Sequence, residues 1–289
     1  MNTTGVISEV FPKMANVILD EDPSKKILCS YRRGQIVDRD AEWRERSPVA
    51  PGDKVSVHLY GSKDGVIEEV APRRNFISRK APGREGKIMH TIAANVDFVV
   101  ITSSLHQPDF SPGLIDRFLI ATTASQITPL IVINKMDLGS PGEHPWKLYE
   151  DLGYRCFPVS SSSGEGLDQL TATLRGKTSV FCGHSGVGKT SLLSRLFGDS
   201  VGKTGEVSGA TGKGKHTTTV SKLIPAEGDT RFIDTPGIKE FGLLQVSPKD
   251  LIQYFPELYE LQLRHEAYEH LPRFESYLRI KAALESEGR

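Results

Sequence analysis

Gly183-His184-Ser185-Gly186-Val187-Gly188-Lys189-Thr190 sits in the third quarter of a 289-residue chain, after the apolar run 179–182 and before a helix-like stretch, 191–197. That setting, strand then glycine-rich loop then helix, is the one a P-loop requires. Glycines let the backbone wrap tightly around a phosphate with N–H groups pointing inward, and the N-terminus of the following helix adds its partial positive charge. Gly183, His184, Ser185, Gly186, Val187 and Gly188 would form the cradle, with Ser191 at the helix start beside it. Lys189 would reach the β- and γ-phosphates, and the Thr190 hydroxyl would ligate Mg²⁺. By average residue usage the pattern arises by chance in about one chain in a hundred of this length.

A P-loop does not choose a base. Asn134-Lys135-Met136-Asp137, which follows the apolar run 127–133, does. The Asp137 carboxylate can accept from both the N1 imino and the N2 amino protons of guanine, and adenine has neither donor. Asn134 would brace the neighbouring loops while the aliphatic stem of Lys135 covers the ring. At the end of the next β-like run, 156–159, Ser160 and Ser161 stand where a backbone N–H, that of Ser161, can meet guanine O6. Asp234-Thr235-Pro236-Gly237 closes the run 231–233, so Asp234 would hold a Mg²⁺-bound water and the Gly237 N–H would meet the γ-phosphate. Between these motifs lies 205–219, dense in Gly, Lys, Ser and Thr and ending in His216-Thr217-Thr218-Thr219. A threonine here, Thr218, would ligate Mg²⁺ and sense the γ-phosphate. The expected ligands are GTP or GDP with Mg²⁺, the metal held by Thr190, Thr218 and Asp234.

The order of these motifs is reversed from that of ordinary small GTPases, in which the P-loop comes first. The expectation is a circularly permuted α/β P-loop GTPase domain spanning residues 94–244. Around it, residues 1–72 hold five short β-like runs separated by Pro, Gly and Asp, as in a small all-β barrel of the OB type. Residues 245–289, rich in Leu, Tyr, Glu and Arg, suggest a small C-terminal α-helical domain. Residues 73–93 form a basic connector: Arg73, Arg74, Arg79, Lys80, Arg84 and Lys87 face one acid, Glu85, across 73–87. A flexible solvated linker and a phosphate-backbone contact are both open there.

Composition sets outer bounds. Hydrophobic residues at 38% and charged residues at 25% are ordinary for a globular protein. The most apolar stretches, 96–102 and 127–133, are strand-length, well short of the roughly 20 residues that span a bilayer. No membrane partner is expected, and the mixed polar start does not read as a signal peptide, so the cytoplasm is the expected location. Three widely spaced cysteines, Cys29, Cys156 and Cys182, suit reduced thiols better than a disulfide framework. A net charge of zero neither demands nor excludes a nucleic-acid partner.

These motifs, with Gly65-Val66-Ile67-Glu68-Glu69-Val70, Ala94-Asn95-Val96-Asp97 and Arg273-Phe274-Glu275-Ser276-Tyr277-Leu278, resemble the ribosome-small-subunit-dependent GTPases of the RsgA type. The resemblance implies an N-terminal OB domain, a permuted GTPase domain and a C-terminal domain. It also implies a GTPase stimulated by the small ribosomal subunit, acting on 16S rRNA late in 30S maturation, and we expect a monomer. Residue 238 is isoleucine, not a glutamine able to orient water, so the loop histidine, His216, becomes the candidate catalytic residue. Two departures stand out. The family usually carries a Cys/Cys/His/Cys zinc site in its C-terminal domain, but here no cysteine follows Cys182, and His265 and His270 alone do not make one. No zinc is expected. The second is residues 81–92, which read as an insert where relatives pass more directly from barrel to GTPase domain.

Overall fold

The computed structural model describes residues 2–31, 44–45, 47–61, 64–80, 88–140, 142–198, 221–235, 243 and 246–287. Five of its strands, β1 (Asn2–Phe11), β2 (Met14–Leu19), β3 (Lys26–Ser30), β5 (Lys54–Leu59) and β6 (Asp64–Val70), close into a barrel. Neighbours run β1-β2-β3-β6-β5, and β1 pairs again with β5 to seal the cylinder. All pairings are antiparallel except β3 with β6. Alternate side chains point inward, among them Ala15 and Val17 on β2, Ile27 and Cys29 on β3, and Val55 and Val57 on β5. This is the expected OB-type barrel.

The described parts of the basic connector contain strands, on either side of residues 81–87. β7 (Phe76–Lys80) and β8 (Ile88–Ala94) pair antiparallel, and the two-residue β4 (Arg44–Glu45) adds to β8. Residues 88–92, read as part of an insert, therefore belong to an ordered strand. Two of the cations do structural work. Arg73 forks onto the buried Asp53 carboxylate at 2.7 and 2.9 Å, and Arg74 reaches Asp97 at 2.9 Å. These two charges, Arg73 and Arg74, tie the connector to the barrel and to the strand that follows.

The central sheet is parallel in the order β11 (Cys156–Pro158), β10 (Thr128–Asn134), β9 (Phe98–Ser104), β12 (Thr178–Cys182), β14 (Arg231–Asp234), with β13 (Lys222–Pro225) antiparallel at its end. β13 also touches β1 of the barrel, joining barrel and sheet. Both faces are covered, as parallel strands demand. Val100, Leu130 and Val132 meet α3 (Leu167–Leu174) and α4 (Lys189–Phe197) on one side. Ile101, Ile131 and Ile133 meet α1 (Pro112–Ala124) on the other, near the short α2 (Lys147–Asp151).

The tail closes that second face. A 3-10 turn (Leu251–Tyr254), α5 (Pro256–Leu263) and α6 (Phe274–Glu287) contribute Leu251, Phe255, Leu258, Tyr277 and Ile280 to the same core as α1. At its centre Arg273, 2% exposed, donates through Nε to Asp116 of α1 at 2.7 Å and through Nη1 to Glu257 of α5 at 3.1 Å. Its guanidinium lies over the Phe255 ring at 4.6 Å, and Tyr149 of α2 donates to the same Asp116 oxygen. Burial alone would weaken the Arg273 charge, but Asp116 and Glu257 outweigh it and hold the guanidinium protonated. Among the described residues no helix is long and apolar enough to cross a membrane.

Candidate guanine-nucleotide site

Order in space differs from order in sequence. β12, which delivers the P-loop, lies between β9 and β14, although β9 precedes it by 80 residues and β14 follows by 53. The carboxyl ends of β9, β10, β11, β12 and β14 lie at one edge of the sheet, where open α/β sheets place their ligands. The described motif residues, at 134–137, 160–161, 183–191 and 234–235, thus converge.

Asn134 is the hub. It is fully buried at the end of β10; its Nδ2 donates to the Val187 carbonyl of the P-loop at 3.0 Å, and its Oδ1 accepts from the Ser161 N–H at 3.0 Å. One amide thus ties the base motif, the phosphate loop and the serine loop together. The approach is close: a Cβ on Gly188, at φ +88°, would lie 2.4 Å from Asn134 Nδ2. Gly183, at φ +138°, is pressed against the Thr102 carbonyl of β9, where a Cβ would lie 2.0 Å away. Two P-loop positions therefore exclude any side chain.

Asp137 is exposed in the 3-10 turn Met136–Leu138, with Oδ1 accepting from the Ser160 hydroxyl at 2.6 Å. That bond above all, helped by the Ser162 hydroxyl and the Lys135 ammonium against a smaller burial effect, holds its carboxyl below the usual carboxylate range. An ionised, acceptor-only group is what two guanine donors require. Lys135 adopts a left-handed φ of 64°, and its ammonium donates to the Gln107 carbonyl in the loop after β9. That loop also packs on the phosphate side, its Pro108 held by Ser104 Oγ at 2.6 Å. Residues 104–110 carry no motif, so sequence reading passed over them; only their place after a buried strand pointed to the ligand edge.

On the phosphate side Lys189 opens α4, and Nζ donates to the Gly183 and His184 carbonyls, both at 2.7 Å. Burial depresses its pKa, so a phosphate arriving here would offer the opposite charge this ammonium lacks. His184, Ser185, Gly186, Thr190 and Ser191 are exposed at the mouth, while Val187 is buried beneath. Asp234 ends β14, one residue past the Val180–Ile233 register pair. Burial raises its pKa, partly countered by Lys222, so a partly desolvated carboxylate faces the same edge. Its chemistry and that of the Thr190 hydroxyl suit a hard divalent cation. His216, Thr218 and Gly237 lie outside the described residues. Among the described residues no three His, Cys, Asp or Glu side chains cluster as a metal site, and His265 and His270 are exposed.

The RsgA GTPase family model matches residues 70–244, which includes all these strand ends. The chain belongs to the RsgA GTPase family. The small ribosomal subunit biogenesis GTPase RsgA of Bacteroides fragilis is 37% identical over 222 residues, covering 75% of this chain and 71% of the relative. The crystal structure of YjeQ from Thermotoga maritima superposes with a TM-score of 0.71 at 25% identity, covering the whole of both chains. That of YloQ, described as a circularly permuted GTPase, superposes at 0.69 and 23% identity over 99% of this chain and 96% of that one, and shows a shared fold. This chain is a GTP-hydrolysing enzyme of that family.

Proposed function

We propose that this chain is a GTPase of late small-subunit (30S) maturation that binds 16S rRNA and hydrolyses GTP to GDP and phosphate when the subunit stimulates it. One observation supports this above others: Asn134 joins a guanine-reading loop to a phosphate loop in a chain of the RsgA family. Asp137 reads N1–H and N2–H and the stem of Lys135 covers the ring, while the Ser161 N–H, expected to meet O6, is instead donated to Asn134 Oδ1. Loop N–H groups from Gly183 to Gly188 and the Lys189 ammonium neutralise the phosphates. Mg²⁺, held by Thr190, Thr218 and Asp234, would supply further charge neutralisation on the β- and γ-oxygens. Water attacks the γ-phosphorus, the bond to the β–γ bridging oxygen breaks, and GDP leaves with that electron pair. His216 orients the water and takes up its proton. We place the protein in the cytoplasm as a monomer without structural zinc, its tail held by apolar packing and Arg273.

The test is GTP turnover titrated with purified small subunits, paired with co-sedimentation in the GTP-analogue and GDP states. Turnover that rises with subunit concentration, with tighter association in one nucleotide state, is expected. Turnover that stays flat while binding remains nucleotide-dependent would make the protein a GTP-dependent switch with negligible intrinsic turnover. His216→Ala is expected to remove most subunit-stimulated phosphate release; wild-type release by this variant would remove the residue from the mechanism.

A further inference from the structure

We propose that Ser162 is a positioning residue for guanine recognition: its hydroxyl donates to Ser160, whose own proton is committed to Asp137, and this chain fixes the carboxylate that reads the base. The inference rests on the guanine-site reading above and extends it to a residue so far named only for its effect on the Asp137 carboxyl.

Donor directions follow from elementary chemistry. An ionised carboxylate only accepts, so the 2.6 Å contact between Ser160 Oγ and Asp137 Oδ1 uses the single proton of Ser160. Ser160 Oγ has two further contacts, the Ser163 N–H at 3.1 Å and Ser162 Oγ at 2.9 Å. With its proton spent, Ser160 accepts both, and its two lone pairs are filled. Ser162 is therefore the donor in that contact, and its hydroxyl also lies near enough to stabilise the Asp137 carboxylate directly. Ser160 is buried with no exposed surface, and its backbone is fixed by N–H to the Glu165 carbonyl at 3.0 Å and by its carbonyl to the Gly164 N–H at 2.8 Å. Every group behind Asp137 is thus either satisfied or anchored, and Ser162, exposed at the outer end, supplies the last proton. Hydrogen bonds in series polarise one another, so loss of the outer donor weakens the inner one.

The consequence is specific to the base. Bidentate reading needs both carboxylate oxygens in the plane of N1–H and N2–H, whereas hypoxanthine offers N1–H alone and tolerates a rotated carboxylate. Ser162→Ala is expected to weaken mant-GDP binding by about fivefold, the worth of one ordinary hydrogen bond, and to leave mant-IDP binding close to wild type, so that the GDP-over-IDP preference falls. Ser162→Thr, which keeps the hydroxyl, is expected to restore the preference. A loop that merely loosened would weaken both nucleotides alike, and that outcome, or an unchanged preference in Ser162→Ala, overturns the relay. The wild type, measured against mant-ADP in the same titration, separates the two layers: no preference for GDP over ADP overturns the guanine-site reading and the relay with it.

Discussion

Single side chains carry the base and phosphate chemistry, and each makes a distinct prediction. Asp137→Asn replaces two acceptors by one acceptor and one donor, leaving the guanine 2-amino group opposed. GDP affinity is expected to fall by about 10–100-fold, from one lost bond and one opposed donor. Xanthosine diphosphate, with a carbonyl at that position, is expected to gain, and competition titration reads both. Gly188→Ala drives a methyl into Asn134 Nδ2, so nucleotide binding should be lost while the circular dichroism spectrum is kept. The thiols make the opposite kind of prediction. Burial pushes Cys29 up to about 11 and Cys156 to about 12, and Cys182 also rises on burial. Because the thiolate is the reactive form, the native protein should resist alkylation at pH 8 and take up three labels only in denaturant; rapid labelling at Cys156 would contradict its described surroundings.

Among the elements, the tail's attachment to α1 is the most exposed to test. Removing the Arg273 side chain leaves the buried Asp116 carboxylate and Glu257 without their cation, which costs about 3–5 kcal/mol in such settings. Arg273→Ala should shift the urea midpoint accordingly and raise hydrogen exchange across α6 above that of β9 and β10. An unchanged midpoint would mean the tail is held by Phe255, Leu258 and Tyr277 alone. The same pair shows where sequence reading stops. The Arg273 string is visible in the primary structure, but its partner lies 157 positions away, and no local pattern names Asp116. β9, β10, β12 and β14 were legible because strands buried on both faces must be apolar throughout. The β7–β8 hairpin was not: Arg79 pairs in register with His90, Ser78 and Thr91 are buried polar residues, and only Ile77 and Ile92–Ala94 betray the inward face. Paired cations look like solvated ones until Asp53 and Asp97 are brought beside them. The site was legible as strings, since loops that cradle phosphates and guanine have narrow chemistry, whereas the Gln107 loop and the direction of the Ser162 hydroxyl needed coordinates.

For the whole molecule, the permutation sets which parts are tied and which are free. α3 leads to β12 through residues 175–177, so the base-reading half and the phosphate half are joined by three residues beneath the sheet. β14, carrying Asp234, is followed in the chain by the tail and not by β9. The chain after Asp234 leads on to a tail clamped to α1, and cutting it there with a site-specific protease should leave GDP binding intact while abolishing subunit-stimulated turnover, read as phosphate release. Loss of GDP binding on cleavage would place the segment in the base or phosphate site itself. The sheet order has one more consequence, for the way the protein is made. A ribosome delivers β9, β10 and β11 first, and these wait beside an open edge, because the strand that belongs next to β9 is β12 and the one beyond it is β14. Asn134 emerges some fifty residues ahead of the Val187 carbonyl it will bind. The growing chain thus holds a half-built sheet with one edge of β9 unpaired, and the link that makes it competent for nucleotide forms only after the P-loop has left the exit tunnel.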